Sequence, residues 1–341
     1  MTHYSQIISR FSKKRILVVG DIILDQYIKG NVSRLSPEAP VPVVVEEESF
    51  YTPGGAANVA HNLKTLGAKV AVIGRIGSDP EGAILRKQLK KIGIKTDGLF
   101  VDRKLPTITK TRVIAQHQQV VRIDREKTKL QADPNVTQKI LHTIKKDMDR
   151  FDAVIISDYG KGLITADLVN LICALGQRKN KIITVDPKVE HFNYYRKVTA
   201  ITPNLKETEN AIRNIKITSS SPHRLGVQFD KLETDDQINN AGIELLRYLG
   251  LGSLLITLGE HGMRLFEKGK KPIHIKTKAK EVYDVTGAGD AVISAFTLAL
   301  TAGATKHEAA ELSNFAAGIV ISKLGAVAVT KDELLEATKG H

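Results

Sequence analysis

The sequence predicts an α/β fold: a mostly parallel central sheet covered by helices on both faces, with a small β lid over one end. Three observations carry this reading. Short, unbroken apolar runs recur along the chain, as in strands buried on both faces. Patterns with apolar residues at helical spacing separate those runs. Two stretches rich in β-branched residues and proline interrupt the alternation.

The first run is Arg15-Ile16-Leu17-Val18-Val19-Gly20. It is followed by Asn31 to Phe50, where three prolines and Val41-Pro42-Val43-Val44-Val45 argue for an extended edge segment rather than a central strand. Ala56 to Leu66 reads as a helix closed by Gly67, and Lys69 to Gly74 as the next strand. Glu81 to Ile92 is again helical, whereas Thr107 to Ile123 reads as two β-like runs joined near Gln116-His117-Gln118-Gln119. These two interruptions are expected to form the lid, over residues of about 26–50 and 105–124. Helices then follow at Val136 to Met148, Ala166 to Leu175 and Asp235 to Leu249, with strands at Ala153 to Ser157, Lys181 to Asp186 and Ser253 to Thr257. The stretch Thr218 to Asp230, with Ser219-Ser220-Ser221-Pro222-His223, reads as a surface loop, and three helices close the chain.

At 341 residues and 42% hydrophobic content the chain is long enough to bury a substantial core, read as a single domain over 1–341. Fifty Lys and Arg against 37 Asp and Glu leave a formal charge of +13, which suggests an anionic partner without identifying it. Aromatics make up 5% and Trp is absent, so no basic stripe interleaved with aromatics offers a base-stacking surface. The lone Cys173 lies in an apolar helical pattern and is expected in the core; it excludes an internal disulfide and fits a reducing compartment. The polar N-terminus and the lack of a long apolar run point to a soluble, cytoplasmic protein, with no membrane and no nucleic acid among its expected partners.

Four clusters carry candidate chemistry. Glu281-Val282-Tyr283-Asp284-Val285 reads as the end of a strand and Ala291 to Leu300 as a helix, so Gly287, Ala288 and Gly289 fall at a helix N-terminus. Glycines there let a phosphate approach unpaired amides, and Asp290 beside them is placed to take a proton from an attacking hydroxyl. A capping Asp explains the same segment, and in isolation it is the preferred explanation. Pro53-Gly54-Gly55-Ala56-Ala57-Asn58 opens a helix with room for a ligand and an amide suited to sugar hydroxyls, or is a tight turn. Asp21 and Asp25 lie just beyond the first strand, where open α/β sheets bind ligands; loop aspartates are also often merely solvated. Asn204 and Glu207 have the spacing to hold a hydrated Mg²⁺ through water, or to form an N-cap with a capping-box partner, which spacing alone favours. Neither GxxxxGK[ST] nor GxGxxG after the first strand is present.

In order along the chain, Gly54-Gly55 with Asn58, Asn204 with Glu207, Thr257-Leu258-Gly259-Glu260-His261-Gly262 and the segment from Asp284 to Asp290 resemble the ribokinase-like carbohydrate kinases, the PfkB family. The resemblance covers nearly the whole chain. Ser33 to Val44, Thr107 to Val113, Ser157 to Gly162 and Val185 to Lys188 are similar to the branch that phosphorylates D-glycero-β-D-manno-heptose 7-phosphate. This implies ATP-dependent phosphorylation of the anomeric hydroxyl, giving the 1,7-bisphosphate on the route to ADP-heptose and lipopolysaccharide core. Without an HxGH-type signature the chain is expected to carry no adenylyltransferase domain.

The resemblance also implies roles for particular residues. Asp290 would be the base, with the Gly287, Ala288 and Gly289 amides as anion hole. Asp25, Gly54, Gly55 and Asn58 would bind sugar. Asn204 and Glu207 would organise Mg²⁺ and phosphate, Thr257, Gly259, Gly262 and Asn314 would border the nucleotide, and Asp284 would lie near an optional K⁺. A substrate that already carries a phosphate needs fixed cations; Lys110, Arg112, Arg122, Lys161 and Lys188 are the candidates, although each alone reads as a solvated charge, and two or three are expected to touch the ligand. Ala291 departs from the Thr common after the base in this family. A homodimer paired through lid strands is a further expectation. The alternatives are a kinase for another sugar or sugar phosphate and, from another class, a non-catalytic sugar-sensing or nucleic-acid-binding regulator.

Overall fold

Strand β1 (Arg15–Gly20) lies inside a nine-stranded sheet in the computed structural model, which describes residues 3–116, 118–127, 132–218, 225–229, 231–278, 282–323 and 327–340. Ile16 to Gly20 are buried without alternation, as expected for a strand covered on both faces. The chain then leaves the sheet through two long antiparallel strands, β2 (Ile22–Leu35) and β3 (Pro42–Gly55), and returns through the helix Ala56–Thr65 to β4 (Lys69–Gly77). β5 (Leu99–Asp102) follows, then β6 (Ile108–Ala115) and β7 (Gln118–Arg125). The main sheet resumes with β8 (Ala153–Ser157), β9 (Ile182–Asp186), β10 (Ala200–Ile201), β11 (Ser253–Thr257), β12 (Met263–Glu267) and β13 (Ile273–Ile275).

The strand order is β13-β12-β11-β10-β9-β8-β1-β4-β5, parallel from β11 to β5, with β12 and β13 antiparallel at one edge. Because β4 pairs with one side of β1 and β8 with the other, the order reverses at β1, and a crevice opens beyond the strands' carboxyl ends. One apolar cluster packs on each face of the sheet. The closing helices Ala288–Thr301, Lys306–Ile321 and Lys331–Ala337 belong to the first cluster, along with Ala56–Thr65. Among the described residues no helix is long and apolar enough to cross a membrane.

The lid is a four-stranded sheet, β3-β2-β6-β7, in which β2 pairs with β6 in parallel. It begins earlier than the sequence suggested: Asp25 lies within β2, and Gly54 and Gly55 end β3, rather than forming loops. Ile22, Ile23 and Leu24 are all buried and draw this first part of β2 into the core, so no turn follows β1. A second correction concerns Val282 to Val285, which form no strand. The amides of Tyr283 and Asp284 both donate to Ile321 O at the end of the helix Lys306–Ile321, and Thr286 N donates to Asp284 Oδ1, turning the chain toward the next helix. Glu281, His117, and residues 219–224 and 230 of the expected surface loop lie outside the described residues. Cys173 is half-buried rather than a core residue, and burial pushes its thiol up to about 11.

Candidate active site

The helix Ala288–Thr301 begins three residues earlier than its apolar pattern suggests, with Gly287 as N-cap at φ +81°. Gly289 and Asp290 therefore occupy its first turn. Gly287 suits its left-handed conformation, and a Cβ there would lie 3.0 Å from Asn58 Nδ2. At Gly289 a Cβ would meet nothing within 4 Å, so that position faces open space. Ala291 is fully buried in the first core cluster, a position where a methyl group packs without needing a partner.

Asp290 is 4% exposed, and both of its carboxylate oxygens accept hydrogen bonds. Asn58 Nδ2 donates to Oδ2 at 2.6 Å, and the Tyr159 hydroxyl donates to Oδ1 at 2.8 Å. Burial raises the Asp290 pKa to about 6; the two donors oppose the rise, Asp25 adds to it and Lys110 subtracts from it. This carboxyl is therefore ionised at neutral pH yet basic enough to accept a proton, which is what a general base requires.

On the lid side, Asp290, Gly287, Asn58, Gly55, Asp25, Lys110, Arg112 and Tyr159 line one cavity of about 140 Å³. Asp25 accepts from Arg112 Nη1 at 2.6 Å, and the Arg112 guanidinium lies 5.4 Å from the Tyr27 ring centre. Gly54 is required there, since a Cβ would fall 2.1 Å from Asp25 Oδ2. Lys110 Nζ lies 5.5 Å from the Tyr159 ring centre, and burial lowers its pKa, opposed by Asp25 and reinforced by Lys161. On the other side of the helix terminus, Ala288 and Gly289 line a larger cavity of about 730 Å³ with Thr257, Gly259, Gly262 and Asn314. Its remaining walls include the apolar Val282, Val285, Val292 and Ile321, suited to a flat heterocycle. Asn314 is anchored by a 2.7 Å bond to Lys276 O. The glycine turn and Asp290 thus stand between a polar chamber lined by two cations and two carboxylates and a larger, more apolar one.

Asn204 and Glu207 form a capping box at the start of the helix Leu205–Thr218: Asn204 N donates to Glu207 Oε2 at 2.9 Å, and Glu207 N to Asn204 Oδ1 at 2.8 Å. The Asn204 side chain is thereby turned to the backbone. Glu207 is half-buried, and burial raises its pKa, opposed by the Asn204 amide and by Lys188. Asp186, at the end of β9, is raised further by burial and then by Asp290, Glu207 and Asp158. Among the described residues no hydrogen bond is made to its carboxylate. Carboxylates held near one another are the chemistry that a divalent ion neutralises, here with Lys188 already acting on Glu207. Among the described residues there is no group of three or more His, Cys, Asp or Glu that could cage a metal.

Three of the predicted cations fall outside the small cavity. Arg122 is half-exposed on β7 and bound to Asp124 through both Nε and Nη2. Lys161 pairs with Glu126 at 2.7 Å in a neighbouring cleft, near enough to influence Lys110. Lys188 packs over Gly160 and faces Glu207. Asp284 sits in the turn before the glycines, its Oδ1 taken by Thr286 N.

Sequence reasoning missed Tyr159, Asp186 and the function of Asp21. Asp21, which is buried, accepts from the amides of Tyr159 (2.9 Å), Lys161 (3.0 Å) and Leu163 (3.3 Å), so the end of β1 holds the loop that follows β8. Asp158 supports the same loop, accepting from Gly160 N, His191 Nδ1 and Tyr195 OH. The run of Asp, Tyr and Gly after an apolar strand was the available signal.

Residues 13–333 match the model of the pfkB family carbohydrate kinases. The chain is 42% identical over 327 residues to the bifunctional protein HldE of Desulfatibacillum aliphaticivorans, covering 96% of this chain and 63% of that protein. It therefore spans less than two thirds of the relative's length. Among solved structures, ribokinase from Arabidopsis thaliana, complexed with ribose and ATP, superposes with a TM-score of 0.71 at 19% identity, covering 96% of this chain and 99% of that one. Phosphofructokinase-2 from Escherichia coli in complex with potassium gives 0.74 at 15% identity, covering 95% and 98%. These two likenesses establish the ribokinase-like fold.

Proposed function

Since the chain belongs to the pfkB family of carbohydrate kinases, we propose that it transfers the γ-phosphoryl group of ATP to the anomeric hydroxyl of D-glycero-β-D-manno-heptose 7-phosphate. The product would be the 1,7-bisphosphate that feeds ADP-heptose and lipopolysaccharide core synthesis. The observation that carries this reading is the position of Asp290 and the glycine turn between a polar chamber holding Lys110 and Arg112 and a larger chamber with apolar walls. The proposal concerns kinase activity alone, because the relative named bifunctional is longer than this chain.

In this reading Asp25, Asn58 and the backbone of Gly54 and Gly55 hold the sugar hydroxyls. Asp290 removes the proton from the anomeric oxygen as that oxygen attacks. The first-turn amides from Gly287 to Gly289 face the charge that develops on the transferring group. Lys110 and Arg112, which line the small cavity, receive the 7-phosphate, with Lys161 adding positive field; Arg122 and Lys188 lie outside that cavity. Thr257, Gly259, Gly262 and Asn314 border the nucleotide. Mg²⁺, when bound, neutralises phosphate charge, and Glu207 and Asp186 would hold it, largely through water, with Asn204 fixing Glu207. Asp284 would border K⁺ if that ion takes part. The donor ATP implies a cytoplasmic setting. Exposed Val120, Val121 and Ile123 on β7, with Val41 and Val45 on the lid's other side, support a homodimer joined through the lid.

The test is ADP release across heptose 7-phosphate, sedoheptulose 7-phosphate, fructose 1-phosphate and ribose. Highest kcat/KM with heptose 7-phosphate supports the proposal, and a preference for unphosphorylated ribose overturns it.

A further inference from the structure

Tyr159 has no part in the reaction as derived, yet its hydroxyl is one of only two groups hydrogen-bonded to the Asp290 carboxylate among the described residues. A carboxylate bonded through one oxygen alone can still rotate about its last side-chain bond. With a donor on each oxygen, its plane is fixed. The two donors come from separate elements: Asn58 from the helix Ala56–Thr65, and Tyr159 from the loop after β8. That loop is in turn tied down, because Tyr159 N donates to Asp21 Oδ2 and Gly160 N to Asp158 Oδ1. Lys110 covers the Tyr159 ring from the lid side. The phenol position is therefore set through both its backbone and its ring.

We infer that Tyr159 is a positioning residue for the base: its hydroxyl fixes the plane of the Asp290 carboxylate and so aims one of the remaining lone pairs at the sugar hydroxyl. The inference rests on reading Asp290 as the base. Burial and the neighbouring Asp290 hold the phenol's own proton well above its ordinary range, so it remains a donor throughout the working pH range. Besides Tyr159 and Asn58, the groups that act on Asp290 are Asp25 on β2, Lys110 on β6 and Asp186 at the end of β9. Only the two hydrogen bonds constrain direction.

The experiment is the pH profile of kcat/KM for Tyr159→Phe, with ADP affinity measured alongside. Losing a donor to the charged form makes Asp290 harder to ionise, so the acidic limb is expected to move up by about one pH unit. The plateau should fall about tenfold through lost orientation, while ADP affinity stays within about twofold. An unmoved limb overturns the inference, whatever happens to the plateau. If Tyr159→Phe does not fold, 3-fluorotyrosine placed at 159, a more acidic phenol and a stronger donor, must move the limb downward; no movement again overturns it. Asp290→Asn separates the two readings. If that variant keeps its turnover, the base assignment fails. If it loses turnover while the Tyr159→Phe limb stays in place, only the inference about Tyr159 fails.

Discussion

Asn58 Nδ2 donates to Asp290 Oδ2 at 2.6 Å, joining residues 232 positions apart in the sequence. The helix that follows the paired glycines and the helix that follows the terminal glycine turn are thus locked together at the point where chemistry is expected. Asn58 is only 1% exposed, so the bond is shielded from water and correspondingly firm. Any ligand that contacts Asn58 also contacts the partner of the proposed base.

The Asp290 carboxyl, with its pKa raised to about 6 mainly by burial, must be ionised to act as base. Activity should therefore fall as pH drops through about 6. The profile of kcat/KM, which reports the free enzyme, checks this; a limb near 4 would indicate that the base is another, solvated carboxylate.

The same raised value predicts a stability effect. An Asp whose folded-state pKa lies above its unfolded value contributes fully below pH about 4, and that contribution is lost as pH rises through about 6. At pH 7.5 the ionised carboxyl costs the fold on the order of 3 kcal/mol relative to its neutral form. Asp290→Asn removes the charge but keeps only one good acceptor, so we expect a net gain of about 1–2 kcal/mol at pH 7.5 that disappears near pH 4. Denaturant midpoints at the two pH values would measure it; equal effects at both would contradict the assigned titration.

Much of this was legible in the sequence because the main-sheet strands have a strong local signal. Ile16 to Val19 and Val154 to Ile156 leave little alternative to buried strands, and Gly287 with Gly289 marks a turn needing left-handed or unobstructed backbone. What stayed hidden depends on pairing between distant segments. Asp25 reads as a loop residue until β2 is seen to be held by β3 and β6. Val282 to Val285 look like a strand by composition, but Ile321 O takes the amides of Tyr283 and Asp284. The five candidate cations were indistinguishable by sequence, since only pairing through space separates Arg122, bound to Asp124, from Lys110, which faces the cavity. Tyr159 and Asp186 acquire meaning only when the carboxyl ends of β8 and β9 converge on Asp290.

That distinction among cations gives a paired prediction. Lys110→Met should raise KM for heptose 7-phosphate by about 30-fold or more, the scale of a lost charge-assisted hydrogen bond, and leave KM for ATP within about threefold. Arg122→Ala should change neither by more than about threefold. Steady-state kinetics of the two variants suffice, and equal effects on both substrates in Lys110→Met would remove the phosphate clamp from that lysine.

The central claim is that Asp290 takes the proton from the hydroxyl being phosphorylated while the glycine turn holds the transferring group. It is tested most directly by the turnover of Asp290→Asn with ATP and heptose 7-phosphate, measured together with ADP affinity. The expected result is nucleotide affinity within about twofold of the unmodified protein and a kcat lower by about 10²–10⁴-fold. Near-normal turnover in that variant would contradict the account.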